Sequence, residues 1–428
     1  MKLEVDAGKT LLVDGPASLM VLSGKAEVLG APLKNESRIV VREGKRLPIE
    51  VKSKALFELL LGENAKYEQV DGSTVPKTWQ KVVDEILSEI SSKRPYSVMV
   101  MGEVDSGKTT FCTFLANKAL KEKLKVAVID GDLGQSDVGP PSTIGYCILK
   151  KPIKDLFDVN AKNAYFIGLT SPGRVMNEVI QGLSKLKDEA LRNGTEFLII
   201  NTDGWVEGEE AANYKLRLVN VLEPDVVVGI QQEYELLHIL GGIGGTKVHI
   251  VESPSAIRKR DREKRKILRE LSYKKYLKGG KVQSFLISWL KLEGTLLGKG
   301  MFPHKERMRE IEQILGIHPW YCEETSNTLL LVLGRSQRVS EESLKRLEKS
   351  IGKRLKVIRE GEENGLLVAI KDINGMFLGI GILEGIDYRR RAIKIYTPVV
   401  KGIHTISIGQ VKLDREGKEL GICAVFTE

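Results

Sequence analysis

Cysteine is scarce in this 428-residue sequence: Cys112, Cys147, Cys322 and Cys423 stand far apart, with no paired spacing that would build a zinc site or a disulfide framework. Histidine is equally thin. Its five copies (His238, His249, His304, His318 and His404) form no metal-ligand spacing and no pair with a cysteine or serine that would make a nucleophile. No apolar run reaches the length of about 18 residues that a membrane helix needs, and the opening MKLEVDAGKTLLVDG lacks the charged-then-apolar order of a secretory signal. Zinc, haem and flavin enzymes, disulfide scaffolds and membrane proteins are thus not expected, and a cytoplasmic protein is.

What the sequence does carry is charge and pattern. Lysine and arginine (66) exceed aspartate and glutamate (57), a net charge of +9 that favours a polyanionic partner without choosing among nucleic acid, acidic protein and membrane surface. The length predicts two or three domains. Residues 1–75 read as short strands (KTLLVDG, ASLMVLSG, KAEVLG, SRIVVREG, LPIEVKS) broken by glycine, proline and asparagine. In VPKTWQKVVDEILSEISSKR the residues Val82, Val83, Ile86, Leu87 and Ile90 recur at helical spacing, which predicts a connecting helix. The expected architecture is α/β. A central P-loop NTPase domain over 76–280 has a mostly parallel sheet, because its strands are uniformly apolar and alternate with helices. Small β-rich domains flank it over 1–75 and 281–428, the last with one charged helix, KERMREIEQIL.

The phosphate chemistry is written most plainly in GEVDSGKT, residues Gly102, Glu103, Val104, Asp105, Ser106, Gly107, Lys108 and Thr109. It follows the strand YSVMVM and opens the helix TTFCTFLANKAL, the strand–loop–helix context that the G-x-x-x-x-G-K-[ST] pattern requires. Thr110 joins the expected nucleotide-binding residues. The glycines let backbone N–H groups turn toward phosphate oxygens, and the helix N-terminus adds positive dipole there. Lys108 is expected on the β/γ-phosphates and Thr109 on Mg²⁺. The loop alone does not separate kinases from motors, switches or transporters.

DGDLGQ then places Asp130 and Asp132 at the end of the apolar run VAVI, the sheet edge at which ligands bind in such folds. A spacing of two turns both carboxylates to one side if the strand persists. One can serve the metal shell and the other an acceptor, with a plain turn as the alternative reading and Asp203, after FLIINT, as a rival metal acid. Further on, eleven basic and three acidic residues lie between Arg258 and Lys278. Arg258, Arg262, Arg265 and Arg269 share a helix face at spacings of 4, 3 and 4. Such a run is either a solvated face or an arginine lid that meets the charge developing on a transferring phosphoryl group.

Taken in order, GEVDSGKT, DGDLGQ, NTDGWVEG and QQEYEL, followed by the basic segment, resemble the polynucleotide 5′-hydroxyl kinases related to a subunit of the eukaryotic pre-mRNA cleavage machinery and to the pre-ribosomal-RNA processing kinase, in an archaeal form. The resemblance covers nearly the whole chain and is most specific between 102 and 269. It implies transfer of the γ-phosphate of ATP or another NTP, with Mg²⁺, to the 5′-hydroxyl of RNA and in some members DNA, in RNA processing or repair. A nucleotide-binding scaffold that has lost transfer is the alternative. By this resemblance Asp132 orients or activates the acceptor, Gln135 supports the metal and acceptor region, and Asp130 is a metal-side acid. Thr170, Pro172 and Gly173 match a clasp on the nucleic-acid end, although Ser171 is inserted in the family's Thr-Pro-Gly. Trp205 matches a tryptophan on which a terminal base stacks, with core packing as the other reading. Arg260 and Arg265 match the lid, with Arg262 and Arg269 as substitutes for them or as substrate-binding residues on the nucleic-acid backbone.

Overall fold

The computed structural model of the protein describes residues 1–90, 93–257 and 259–426. The chain divides after Arg269 into two compact units, so that the division falls within the helix Arg262–Leu277. Residues 1–75 and the α/β core, read from sequence as separate domains, share the first unit.

Seven antiparallel strands form the N-terminal part, three of them paired along Arg46–Leu61. The runs ASLMVLSG and KAEVLG are one strand, Ala17–Val28, rather than two. Ala17, Leu19 and Val21 point inward in alternation, and the register shifts between Val21 and Ala26 restore the inward face at Ala26 and Val28. Gly24 sits at that irregularity with φ 93°, and a Cβ there would fall 2.4 Å from the Lys54 carbonyl oxygen. The connecting helix, Lys77–Ile90, buries Trp79, Val82, Val83, Ile86 and Ile90.

The central sheet has the order Asn163–Phe166, Thr143–Leu149, Val126–Asp130, Phe197–Asn201, Tyr96–Gly102, Val226–Gln231, Lys247–Glu252. The last five run parallel and the first two are antiparallel additions at one edge. Its inner strands are buried on both faces: Val98 and Val100 enter one hydrophobic cluster, Met99 and Met101 the other. The first cluster also contains Leu19 and Phe57, so the N-terminal sheet and one face of the central sheet share a core. Asp130 and Asn201 are register partners on neighbouring parallel strands, which brings DGDLGQ and NTDGW to the same sheet edge as the phosphate loop.

The second unit holds a seven-stranded sheet and a three-stranded sheet. The charged helix expected from KERMREIEQIL is Lys305–Leu315. A second helix, Glu341–Ile351, was not separated from its surroundings in the sequence reading, although Ser340 caps it by accepting from the Ser343 N–H and Gly352 ends it at φ 65°. No helix among the described residues is long and apolar enough to cross a membrane.

Candidate active site

The phosphate loop is shaped by backbone demands that only particular residues meet. Asp105 and Gly107 both adopt left-handed φ (60° and 101°), and a Cβ on Gly107 would come within 2.8 Å of Ile257. The helix Lys108–Lys121 begins directly after Gly107, aiming its N-terminus into the loop. Lys108 spans the cup, its Nζ donating to the Glu103 carbonyl at 2.7 Å. Burial pulls the Lys108 ammonium below its ordinary pKa; Asp132 opposes this, and Lys215 adds to it. A buried ammonium of this kind gains most from an anion, and phosphate supplies one.

The two acids of DGDLGQ differ sharply. Asp130 is fully buried and surrounded by donors: Oδ1 accepts from Asn201 Nδ2 at 2.9 Å and from the Asp132 N–H at 3.3 Å, and Oδ2 from the N–H groups of Asp137 and Val138 at 2.7 and 3.2 Å. Burial lifts its pKa to about 7, with Asp137 and Asp132 adding to the rise. Those donors hold the loop that follows and leave Asp130 no open oxygen. Asp132 is part-exposed; Oδ1 accepts from the N–H groups of Gly134 and Gln135 at 3.0 and 2.9 Å, an Asx-type turn that fixes the carboxylate. Burial raises its pKa against the opposing pull of Lys108 and the Gln135 amide. Asn201, which the sequence reading passed over, also donates to Thr109 Oγ1 at 3.4 Å and so links the buried acid to the last hydroxyl of the phosphate-loop motif.

Asp203 is held in a different way. Lys215, with no exposed surface, meets its Oδ1 at 3.0 Å and donates to its carbonyl at 2.8 Å, while the Tyr214 hydroxyl donates to Oδ2 at 3.0 Å. The Trp205 N–H donates to Oδ1 at 3.0 Å, and the indole stacks on the Tyr214 ring at 5.8 Å. Trp205 is therefore part of a braced loop with one side still accessible, rather than a fully packed core residue. Burial pulls the Lys215 ammonium down in pKa and pushes the Tyr214 hydroxyl up, the first against the attraction of Asp203 and the second with its help.

The segment 170–173 comes to the same place. A Cβ on Gly173 would stand 3.8 Å from the Trp205 ring, and one on Gly134 would stand 3.1 Å from the Thr170 carbonyl oxygen. Pro172 is buried, whereas the inserted Ser171 is exposed, so the insertion bulges outward. Gly204 packs against Val104 so closely that a Cβ would approach it to 2.6 Å, which sets the tryptophan loop directly beside the phosphate loop.

Arg260 clamps Asp105: its Nε and Nη2 reach Oδ1 at 2.7 and 2.5 Å and its N–H reaches Oδ2 at 2.8 Å. Asp261 then caps the helix Arg262–Leu277, accepting from the Lys264 N–H at 2.7 Å. The Arg265 carbonyl accepts from Gln135 Nε2 at 3.1 Å, so this helix start abuts DGDLGQ. Arg262 is exposed in the first turn, and Arg269 lies two turns along; Arg258 lies outside the described residues. Among the described residues no cluster of three His, Cys, Asp or Glu side chains could hold a metal by itself.

Beside the helix Lys108–Lys121 a cleft of about 310 Å³ is lined by Leu29, Ile39, Pro48, Arg42, Thr110 and Thr113 among others. Arg42 fixes the N-terminal sheet there, bonding Asp137 at 3.0 Å and Asp155 at 2.8 Å and covering Phe157 at 3.5 Å. Lys45 reaches Asp137 at 2.9 Å. Neither residue carries a motif that would have marked it in the sequence.

Residues 102–279 match the family model described as the mRNA cleavage and polyadenylation factor CLP1 P-loop. The chain is 29% identical over 342 residues to the polyribonucleotide 5′-hydroxyl-kinase of Methanocaldococcus jannaschii, across 77% of this chain and 91% of that protein. To its namesake in Thermococcus kodakarensis the identity is 29% over 365 residues, across 84% and 97%. The structure of Clp1p in complex with Pcf11p shares the fold, with a TM-score of 0.66 over 96% of this chain and 97% of that one at 13% identity.

Proposed function

We propose that this chain, whose residues 102–279 belong to the CLP1 P-loop family, is a polyribonucleotide 5′-hydroxyl kinase that moves the γ-phosphate of ATP or another NTP to a 5′-hydroxyl end. The observation that carries the reading is the position of Asp132. Its part-exposed carboxylate is fixed by two amides in a loop that touches the clasp at Thr170, and it lies near enough to Lys108 for each to shift the other's pKa.

The phosphates lie in the loop of Gly102 to Thr110, with the base end directed toward the cleft at Thr110 and Thr113. The terminal nucleotide stacks on Trp205, between the clasp of Thr170, Pro172 and Gly173 and the Asp203 loop. Asp132 accepts the proton of the 5′-hydroxyl as its oxygen bonds to the γ-phosphorus. The bond from that phosphorus to the β–γ bridging oxygen breaks, and the electron pair leaves on the nucleoside diphosphate. Lys108 and the lid residues Arg260 and Arg265 meet the charge on the equatorial and leaving oxygens. Arg262 and Arg269 are assigned to the RNA backbone.

The donors at this site are hard oxygens, which suits Mg²⁺. Thr109 would hold it directly, Asp132 would face it, and Asp130 would act through Asn201, because its own oxygens are taken. When bound, the ion supplies neutralisation of phosphate charge.

The test incubates the purified protein with γ-labelled ATP, Mg²⁺ and 5′-hydroxyl oligonucleotides of RNA and DNA. Label is expected on the RNA and absent from a 5′-phosphorylated control. Tight ATP binding with no label on any oligonucleotide would leave the chain as a nucleotide-binding scaffold.

A further inference from the structure

The second unit carries a surface that the transfer chemistry does not use. Three successive exposed arginines, Arg389, Arg390 and Arg391, occupy the turn between the strands Phe377–Asp387 and Ala392–Thr397. Arg389 lies over the Trp320 ring at 4.4 Å, and Arg391 over the Phe302 ring at 5.2 Å. Both rings are accessible: Trp320 is 40% exposed and Phe302 is 55% exposed.

This arrangement is built rather than accidental. Phe302 meets Tyr321 edge-on at 5.2 Å, and Tyr321 meets the buried Tyr388 at 5.5 Å, so the accessible ring rests on two interior ones. The buried Glu323 accepts from the N–H groups of Gly298 and Gly300 at 2.8 and 2.5 Å and from the Tyr321 hydroxyl at 2.9 Å, which fastens the segment leading to Phe302. Met301 continues that attachment by exchanging backbone hydrogen bonds with Glu324 at 2.9 and 2.8 Å. The pyrrole side of Trp320 packs against Gly334, where a Cβ would fall 2.0 Å from the indole nitrogen. Of the three arginines, Arg390 alone among the described residues has a carboxylate within ion-pair range, Asp387 at 3.9 Å.

We propose that this patch binds single-stranded RNA downstream of its 5′ end, with bases stacked on Trp320 and Phe302 and phosphates paired with Arg389 and Arg391. Stacking platforms interleaved with unneutralised arginines are what a sequence-tolerant single-strand site requires. A protein-docking surface would instead surround its aromatic anchors with apolar residues that exclude water. Here the chain around Phe302 exposes one apolar neighbour, Met301, between the exposed Lys299 and Lys305, and the exposed Arg389 and Arg391 face the rings. From the kinase reading the inference takes only that RNA is the ligand, and its test reads binding rather than transfer.

Full-length protein is titrated with fluorescent RNAs of 3 and 20 nucleotides, and its contacts are mapped by cross-linking the longer RNA through 4-thiouridine. The double variant Arg389→Gln/Arg391→Gln alters only exposed side chains, and Trp320→Ala is measured beside it. Each is expected to bind the 20-mer about tenfold more weakly and the 3-mer as wild type does. For the arginine variant the logarithmic salt slope of 20-mer binding is expected to fall by about 1.4, as for two lost phosphate contacts on a single strand. Cross-links in wild type are expected at Phe302 or Trp320. Unchanged 20-mer affinity in both variants, or cross-links confined to the first 269 residues, overturns the proposal and leaves the patch to an acidic protein. A failure of label transfer with these binding results intact would remove the kinase reading and keep the RNA surface.

Discussion

Lys215 is sealed from water, and its Nζ meets Asp203 twice, at the carboxylate and at the carbonyl, with the Tyr214 ring 5.2 Å away; Asp203 also receives the Trp205 N–H. Removing one partner of a buried ion pair strands the other charge and typically costs about 3 to 5 kcal/mol. Lys215→Met is therefore expected to lower the urea midpoint and, at temperatures where it stays folded, to raise the KM for RNA more than that for ATP. Equal KM values for RNA in variant and wild type would mean that the pair supports the fold alone. At Asp132 the expectation is different, since its contacts outside the loop are few. Asp132→Asn keeps the amide contacts through the side-chain oxygen but loses the proton acceptor, so turnover should drop at least about a hundredfold while ATP affinity changes little. Near-wild-type turnover would rule out its assignment as base. The phosphate loop ending in Lys108 and Thr109 was legible because its glycine and lysine spacing is a fixed pattern, whereas Asp132 was singled out by its place at a strand end and by resemblance. Lys215 was not, for it reads as one more polar letter in AANYKLRLVN; only its place four after Ala211 and three before Leu218, both buried, marks the inward stripe.

The helices and loops around the site show the same division between what spacing reveals and what packing decides. The phosphate-loop helix and the strands behind it follow from apolar runs and glycines, and they lie where the sequence puts them. The basic segment is subtler: composition left both a solvated face and a lid open, and the helix starts only at Arg262 because Asp261 caps it, so Arg260 is left before the helix to clamp Asp105. No sequence period distinguishes those two arginines. The helix Glu341–Ile351 was missed even though its cap and its terminal glycine were present, since charged residues dilute its apolar stripe to Leu347 and Ile351. At the tryptophan loop, accessible indole surface and stacking on Tyr214 predict a specific kinetic effect. Trp205→Ala should raise the KM for RNA by an amount equivalent to about 1 to 3 kcal/mol, with the KM for ATP nearly unchanged, as measured by steady-state transfer to short oligonucleotides. A shift confined to ATP would return the residue to a packing role.

Over the molecule as a whole, the least legible feature is the junction of the N-terminal sheet with the phosphate-loop domain, because it depends on residues more than ninety positions apart in sequence, Arg42 with Asp137 and Asp155. Burial would raise the Asp155 carboxyl, but Lys45 and Arg42 outweigh it and hold the pKa at about 2, below the ordinary value of 3.8. The folded state thus binds fewer protons at this group than the unfolded state does between those values, so stability rises with pH there. The contribution is fully present above about pH 4 and is lost as pH falls through about 2, with a size on the order of 2 kcal/mol. Hydrogen-exchange protection of the strand Arg38–Val41 should accordingly weaken in that acid window, and in Asp155→Asn it should already be weaker at pH 7 and decline less steeply toward pH 2. Because Ile39 and Arg42 line the cleft beside Thr110, the same variant should also bind ATP less tightly at neutral pH. An Asp155→Asn protein with wild-type acid sensitivity in that strand would show that the junction is held by the apolar core it shares with the central sheet, through Leu19 and Phe57, rather than by the ion pairs above it.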